Sequence, residues 1–428
     1  MEVLLEARNE FSEFQSAVPT TGFYEEKIAA AWRRALASPA YQGIEGYSPE
    51  AFDSLPVTPK ERLKSEPWNF TAVPLGACIR YHETTGTTGG ATPTPRTAED
   101  VVWNTVSVAH AWGDVLEHGD RVLNLLPSDI VPVGDLVASV CEYLDLPYTR
   151  AYPFTTGITG WDRIIGLWRE LRPTVLLVAP GVALQLTRLL KQRGLLEELR
   201  ASVRSLMLLG EVSVPAMRRR LGDWWGATAY DASYGSTETG TLAAACGRDR
   251  LHMLTAANYA EVATEGAVEP LAPGSRGRLV VTPLNLYARP LLRYDTGDQV
   301  EVERGCSCGR ATPVLRVLGR ATDTISVHGT VLSPRAVEEI VYEAAPVTGY
   351  LLETAEEGSW ARLLLERLPG ADRSEELRYT HAVQALSRER SGLTWDQVAF
   401  VNSLPTNTKS GGSQKSWKRS NIRVVEAR

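Results

Sequence analysis

The chain has 428 residues, 43% apolar and 22% charged, with a formal net charge of −6 at pH 7. That length exceeds what one hydrophobic core usually serves, so two domains are expected. The acidic balance argues against a sequence-independent nucleic-acid binder, which needs a basic surface. Residues 1–8 turn charged almost at once, so an apolar leader is not expected and a cytoplasmic location is. The most apolar stretch, residues 175–190, contains Pro180 and Gln185 and is too short and broken to cross a membrane.

In chain order, residues 21–40 have helix-forming composition with apolar positions near 3.6 spacing. From about residue 100, helical patterns over 97–116, 136–143, 161–171 and 182–192 alternate with short apolar runs at 121–126, 174–178 and 205–209. Such alternation predicts parallel strands joined by crossover helices. Residues 275–302 read instead as antiparallel strands. A smaller unit then follows: a strand at 324–327, a turn through His328-Gly329, and a helix over 334–342 with Ser333 as N-cap and Pro334 at its first position. The fold class expected is α/β, a large N-terminal domain with an appended β region over residues 1–319 and a small α+β domain over 320–428.

The stretch Thr84-Thr85-Gly86-Thr87-Thr88-Gly89-Gly90 is a glycine- and threonine-rich loop whose N–H groups and hydroxyls can close around a polyanion. It lacks the Gly-Lys-Ser/Thr ending of one common nucleotide loop and the spacing of the other, and alone it reads equally as a surface turn. Of five cysteines, Cys246 lies six residues before His252, and Cys306 two before Cys308. Three thiolates and an imidazole suit a closed, structural zinc site, although the spacings are not those of zinc fingers and ordinary loop cysteines fit as well. Cys78 and Cys141, set among apolar residues, read as inert core thiols.

The loop is followed by Tyr230-Asp231-Ala232-Ser233-Tyr234-Gly235-Ser236-Thr237-Glu238-Thr239-Gly240, by Leu292-Arg293-Tyr294-Asp295-Thr296-Gly297-Asp298, and by Leu318-Gly319-Arg320-Ala321-Thr322-Asp323. In this order the four segments resemble the adenylate-forming superfamily. The upstream Leu55-Pro56-Val57-Thr58-Pro59-Lys60, the lead-in Ile79-Arg80-Tyr81-His82 and Cys306-Ser307-Cys308-Gly309-Arg310 resemble the phenylacetate-CoA ligase family within it. The resemblance implies ATP-dependent activation of a carboxylic acid, aromatic by family analogy, to an acyl-adenylate with release of pyrophosphate. Acyl transfer to a thiol would follow, of coenzyme A or of a carrier protein's phosphopantetheine, with an amine as the alternative acceptor.

For the residues, the resemblance implies that Thr84, Thr85, Gly86, Thr87, Thr88 and Gly89 hold phosphates, with Tyr234, Gly235 and Ser236 beside the nucleotide and Thr237 a catalytic residue next to Glu238. Glu238 would ligate Mg2+, Asp298 would grip the ribose hydroxyls, and Arg320 would follow ribose and phosphate. A similar Cys/His pairing in some relatives supports zinc at Cys246, His252, Cys306 and Cys308. The chain departs from the pattern in three places. Gly90 stands where a lysine is usual, Thr322 precedes Asp323 at the hinge, and no Ser-Gly-Lys element occurs in the tail, where Gly412 takes the lysine's place. Lys415 is the preferred catalytic lysine, with Lys409 as second candidate. Residues 126–132 and 152–157 are the expected surroundings of the acid. A non-catalytic adenylate-binding homologue remains the rival reading, a zinc-dependent nucleic-acid regulator is a weak third, and the oligomeric state, a homodimer included, stays open.

Overall fold

In a computed structural model, the structure describes residues 1–14, 17–84, 90–211, 213–320, 323–404 and 421–425. The chain divides into two compact units: residues 1–120, 127–150 and 231–318 form one, and residues 121–126, 151–230 and 319–428 the other.

The first unit is built on an eight-stranded sheet in the order Val268–Pro270, Asn258–Ala263, Arg276–Pro283, Tyr294–Glu303, Val314–Arg320, Leu251–Met253, Gly240–Ala245, Ser233–Ser236. The Arg276–Pro283 and Tyr294–Glu303 strands pair antiparallel, as the pattern over 275–302 predicts. One face packs Leu279, Val281, Leu292 and Val317 against Trp32, Phe52 and Phe70 from the N-terminal segments. Trp32 comes from the Thr21–Ala35 helix, which Thr20 caps by accepting from the Phe23 N–H. The helix is shorter than the 21–40 pattern because Pro39 opens a 3-10 turn. The Ala98–Trp112 helix starts on a capping box of Thr97 and Asp100. The other Asp100 bonds run to the N–H groups of Tyr287 at 2.6 Å and Ala288 at 3.2 Å, pinning that loop to the helix start.

The second unit contains parallel strands Val122–Asn124, Val175–Val178 and Ser205–Leu208, with Thr228–Asp231 next to the last in the sheet order. Every residue of Val175–Val178 is buried, which explains why it reads as an unbroken apolar run rather than an alternating one. The helices Trp161–Leu171 and Pro180–Gln192 lie close to the expected bounds, and Pro215–Trp225 is a further helix that the sequence pattern did not pick out. Within the same unit, the hairpin Ile325–Val327/Thr330–Leu332 turns at His328, whose φ is +48°, and Gly329. The Pro334–Ala344 helix then begins at Ser333, whose hydroxyl accepts from Ala336 N–H at 3.2 Å, as expected. A four-stranded sheet, Gln397–Val401, Ala361–Glu366, Tyr350–Ala355, Ile422–Val425, lies in the same unit, and Tyr350 on it meets Tyr342 of that helix edge-on, ring centroids 6.1 Å apart. The Pro215–Trp225 helix has no side-chain N-cap. Its Ala216 N–H donates to Glu339 at 3.1 Å, placing an anion at the positive helix end.

Cys141 is buried as expected, but Cys78 is half-exposed. It follows a 3-10 turn at Leu75–Ala77 between the exposed Leu75 and Ile79, where apolar neighbours in sequence do not make a core.

Candidate functional site

The antiparallel strands Arg80–Glu83 and Pro93–Arg96 form a hairpin whose connection is the expected phosphate loop. Its ends are tied together: Thr84 N–H donates to the Thr92 carbonyl at 3.2 Å, and Thr92 N–H to Thr84 Oγ1 at 2.9 Å. Thr85, Gly86, Thr87, Thr88 and Gly89 lie outside the described residues, as do Lys409, Gly412 and Lys415.

Tyr234 and Gly235 sit on the sheet's last strand, where the register shifts between them. A Cβ on Gly235 would stand 2.2 Å from the Gly240 carbonyl oxygen, so only glycine permits the close return of the chain. The returning segment is the Ser236–Gly240 turn. Thr239 N–H donates to Ser236 Oγ at 3.2 Å, and Thr241 N–H to Asn104 Oδ1 at 2.9 Å. Asp298 lies on the strand Tyr294–Glu303, four places away in the sheet order. In a flat sheet that separation would be roughly 19 Å. Instead the Tyr234 hydroxyl donates to Asp298 Oδ2 at 2.7 Å, so the sheet curls enough to bring these two strands together. Gly297, with φ +75°, supplies the turn before Asp298, while Asp298 N–H donates to Thr296 Oγ1 at 3.2 Å.

Glu238 is 4% exposed. Burial alone would raise its carboxyl; Lys60, the Glu238 N–H, the Ser236 hydroxyl and Arg289 outweigh that and hold it below the usual carboxylate range. It is therefore an ionised, buried carboxylate at neutral pH, as a divalent-cation ligand must be. Lys60 itself donates to the Thr296 carbonyl at 3.0 Å. Its segment is registered on the Tyr294–Glu303 strand by Thr58, which donates its N–H to Arg293 O at 2.8 Å and accepts from Asp295 N–H at 2.9 Å. The structure thus brings Tyr234, Asp298, Glu238 and the foot of the loop together in one unit. Arg320 ends the Val314–Arg320 strand two residues past Leu318, where the first unit stops, and so belongs to the second unit, its carbonyl accepting from Asp323 N–H at 3.1 Å. The hinge residue Thr322 is outside the described residues.

Three basic residues were missed as site residues. Lys60 lies within a quoted landmark but carried no role. Arg289 interrupts the apolar run Leu284 to Leu292, and Arg96 ends the strand after the loop. A charged residue inside such a run is the signal that was present.

The four residues that the family resemblance pairs come together, with the ligand atoms of Cys246, His252, Cys306 and Cys308 all within 4.8 Å of one another. Cys246 Sγ and Cys306 Sγ are 3.8 Å apart, and Cys308 Sγ is 3.3 Å from His252 Nε2. Tetrahedral zinc with sulfur at its usual bond length separates two sulfurs by about 3.8 Å. His252 Nδ1 lies 3.0 Å from the Thr312 carbonyl and 2.9 Å from its hydroxyl, which turns Nε2 inward as in metal-ligating histidines. Arg248 N–H donates to Cys246 Sγ at 3.4 Å. The cluster fits a four-coordinate metal with no open position.

No family model matches the chain. A phenylacetate-coenzyme A ligase of Thermus thermophilus is 28% identical over 315 residues, covering 69% of this chain and 68% of the relative. That of Escherichia coli is 25% identical over 313 residues, with the same coverage of 69% and 68%. Among solved structures, a 2-hydroxyisobutyryl-CoA ligase in its postadenylation state with 2-HIB-AMP superposes with a TM-score of 0.75 at 19% identity, covering 100% of this chain and 89% of that one. The anthranilate CoA ligase AuaEII with anthranoyl-AMP gives a TM-score of 0.55 at 16% identity, over 76% of this chain and 64% of that one.

Proposed function

We infer that this chain, which belongs to the phenylacetate-CoA ligase family of adenylate-forming enzymes, activates an aromatic carboxylic acid with ATP and transfers the acyl group to a thiol. The observation that carries the reading is the convergence, from separate segments of one unit, of Tyr234, Asp298 and the ionised Glu238 at the foot of the hairpin loop. In the first step a carboxylate oxygen bonds to the α-phosphorus of ATP, the bond to the bridging oxygen breaks, and pyrophosphate leaves. In the second a thiolate bonds to the acyl carbon and AMP leaves.

Residue roles follow from chemistry. Asp298 accepts from the two ribose hydroxyls, oriented by the Tyr234 hydroxyl, and Tyr234 offers its ring face to the adenine. Gly235, Ser236 and Thr237 border the nucleotide, and the segment from Thr84 to Gly89 holds the departing phosphates. Glu238 supplies the single carboxylate that suits Mg2+, which would neutralise phosphate charge during transfer. A lysine of the tail, Lys415 before Lys409, delivers positive charge to the adenylation step. Coenzyme A is the favoured acceptor because the curated relatives are coenzyme A ligases. Zinc at Cys246, His252, Cys306 and Cys308 is a structural clamp and takes no part in the chemistry.

The residues from 320 onward act as a small mobile domain, with Arg320 at its hinge reaching ribose and phosphate between the two steps. Movement of that domain relative to residues 151–230 would break the Ala216–Glu339 bond, the bond of Arg220 to the Tyr342 carbonyl at 3.0 Å and the Arg188–Glu366 ion pair. The direct test is mass-spectrometric detection of acyl-CoA and AMP from an aryl acid, ATP, Mg2+ and coenzyme A, with Lys415→Ala and Lys409→Ala alongside. Loss of product in Lys415→Ala assigns the lysine. Acyl-adenylate that forms without thioester in the wild type moves the acceptor to a carrier protein or an amine.

A further inference from the structure

The Pro93–Arg96 strand, which leaves the loop, is held by two buried guanidinium groups. Arg96 is 8% exposed, and its Nη2 donates to the carbonyls of Thr237 at 2.7 Å and Glu238 at 2.9 Å. Arg289, 0% exposed, donates to the Pro93 carbonyl and, at 2.8 Å, to Thr94 Oγ1. Arg289 is placed by its neighbours, because Asp100 accepts from the N–H groups of Tyr287 and Ala288. A chain of contacts therefore runs from the start of the Ala98–Trp112 helix through Arg289 to the strand, and through Arg96 to the turn carrying Glu238.

Charge follows the same path. Asp100 and Glu238 both act on Arg96 and on Arg289, so two buried cations face two buried anions. Residues 84–94 contain no lysine or arginine, and the nearest arginines in sequence are Arg80 and Arg96. Arg96 Nη1 and Arg289 Nε are buried without a hydrogen-bond partner among the described residues. An apolar pair would fill such a space at lower cost, since buried ion networks seldom stabilise more than well-packed hydrophobic residues do. Fixed geometry around Glu238 is what the guanidinium groups add, Arg289 through both terminal nitrogens and Arg96 through Nη2.

We propose that Arg96 and Arg289 are positioning residues for the metal–phosphate step: Arg96 locks the Thr237–Glu238 turn to the strand leaving the phosphate loop, and Arg289 holds that strand and counterbalances the Glu238 carboxylate. This rests on Glu238 as the Mg2+ ligand. The ligand class concerned is a divalent cation bound to a nucleoside triphosphate.

The test compares wild type with Arg96→Lys, which keeps the charge but shortens the side chain and withdraws Nη2 from its two carbonyls, and with Thr94→Val, which removes an acceptor of Arg289 and leaves both cations in place. ATP binding is titrated calorimetrically against Mg2+, with melting temperature in parallel and pyrophosphate exchange where it occurs. Arg96→Lys and Thr94→Val are each expected to raise the Mg2+ concentration for half-maximal ATP binding about tenfold, the size expected when one hydrogen bond from a guanidinium cation is lost. The Michaelis constant for the acid should move less than about twofold, because ground-state contacts to the acid are untouched. A purely structural role would lower the melting temperature and leave the Mg2+ titration unmoved, which overturns the proposal. If Arg96→Lys does not fold, Thr94→Val decides alone. Mg2+-dependent ATP binding without exchange for any acid defeats the adenylation reading while the titration still tests the brace. Wild type without Mg2+-dependent ATP binding overturns both.

Discussion

Replacing Cys306 by serine should remove the metal and a large share of the first unit's stability. Cys246 and Cys306 are 60 residues apart, and their sulfurs lie 3.8 Å from one another. A cross-link closing a loop of that length withdraws about 4 kcal/mol of chain entropy from the unfolded state. In a unit of this size that corresponds to a melting temperature lower by about 8–16 °C. His252→Ala should act alike, because His252 is 1% exposed and turned inward by Thr312, and its loss leaves three thiols that cannot complete the coordination. Metal content is read by elemental mass spectrometry and stability by scanning calorimetry, with chelated wild type as a third sample. The three samples should melt close together, and wild type should carry one zinc per chain. Wild type without zinc after growth in zinc-supplied medium, or a Cys306→Ser protein that melts with the wild type, would refute the reasoning.

Asp298→Asn should weaken ATP by about 10- to 100-fold, the worth of charge-assisted bonds to the ribose, and Tyr234→Phe by about fivefold through lost orientation; both are read as the Michaelis constant for ATP. Glu261→Leu should destabilise the first unit by about 3–5 kcal/mol, because it strands Arg293, whose Nε and Nη2 donate to Glu261 at 3.1 and 2.9 Å in a buried pair. The check is denaturant unfolding. Burial first, and then Arg96, holds the His82 imidazole below its ordinary 6.5, and burial does the same for His110. Their unfolded forms take up protons first, so stability is fully present above pH 6.5 and falls as the pH drops below it. His82→Asn should flatten that acid limb in melts between pH 5 and 7.

The parts legible in sequence are those set by local pattern. The parallel strands were readable because Val175–Val178 is buried on both faces, and the Pro334–Ala344 helix because Ser333 and Pro334 mark its start. The Cys/His cluster was visible through the family resemblance rather than through spacing, and strand pairing assembles it: Leu251–Met253 pairs with both Gly240–Ala245 and Val314–Arg320, drawing Cys246, His252 and the 306–308 turn together. The curl that joins Tyr234 to Asp298 was not readable, since it is a property of the whole sheet and of glycines such as Gly235 that let strands approach. Arg96 and Arg289 escaped notice because their partners, Thr237, Glu238, Pro93 and Thr94, lie 141 to 196 residues away. Cys78 misled because apolar neighbours in sequence are not neighbours in a core.

The most direct measurement is ATP–pyrophosphate exchange with Mg2+ over a panel of benzoic, phenylacetic, anthranilic and hydroxybenzoic acids. Exchange that depends on one aryl acid and disappears in Glu238→Gln is the predicted result. ATP binding with no exchange for any acid would contradict the account and leave a non-catalytic adenylate-binding protein in its place.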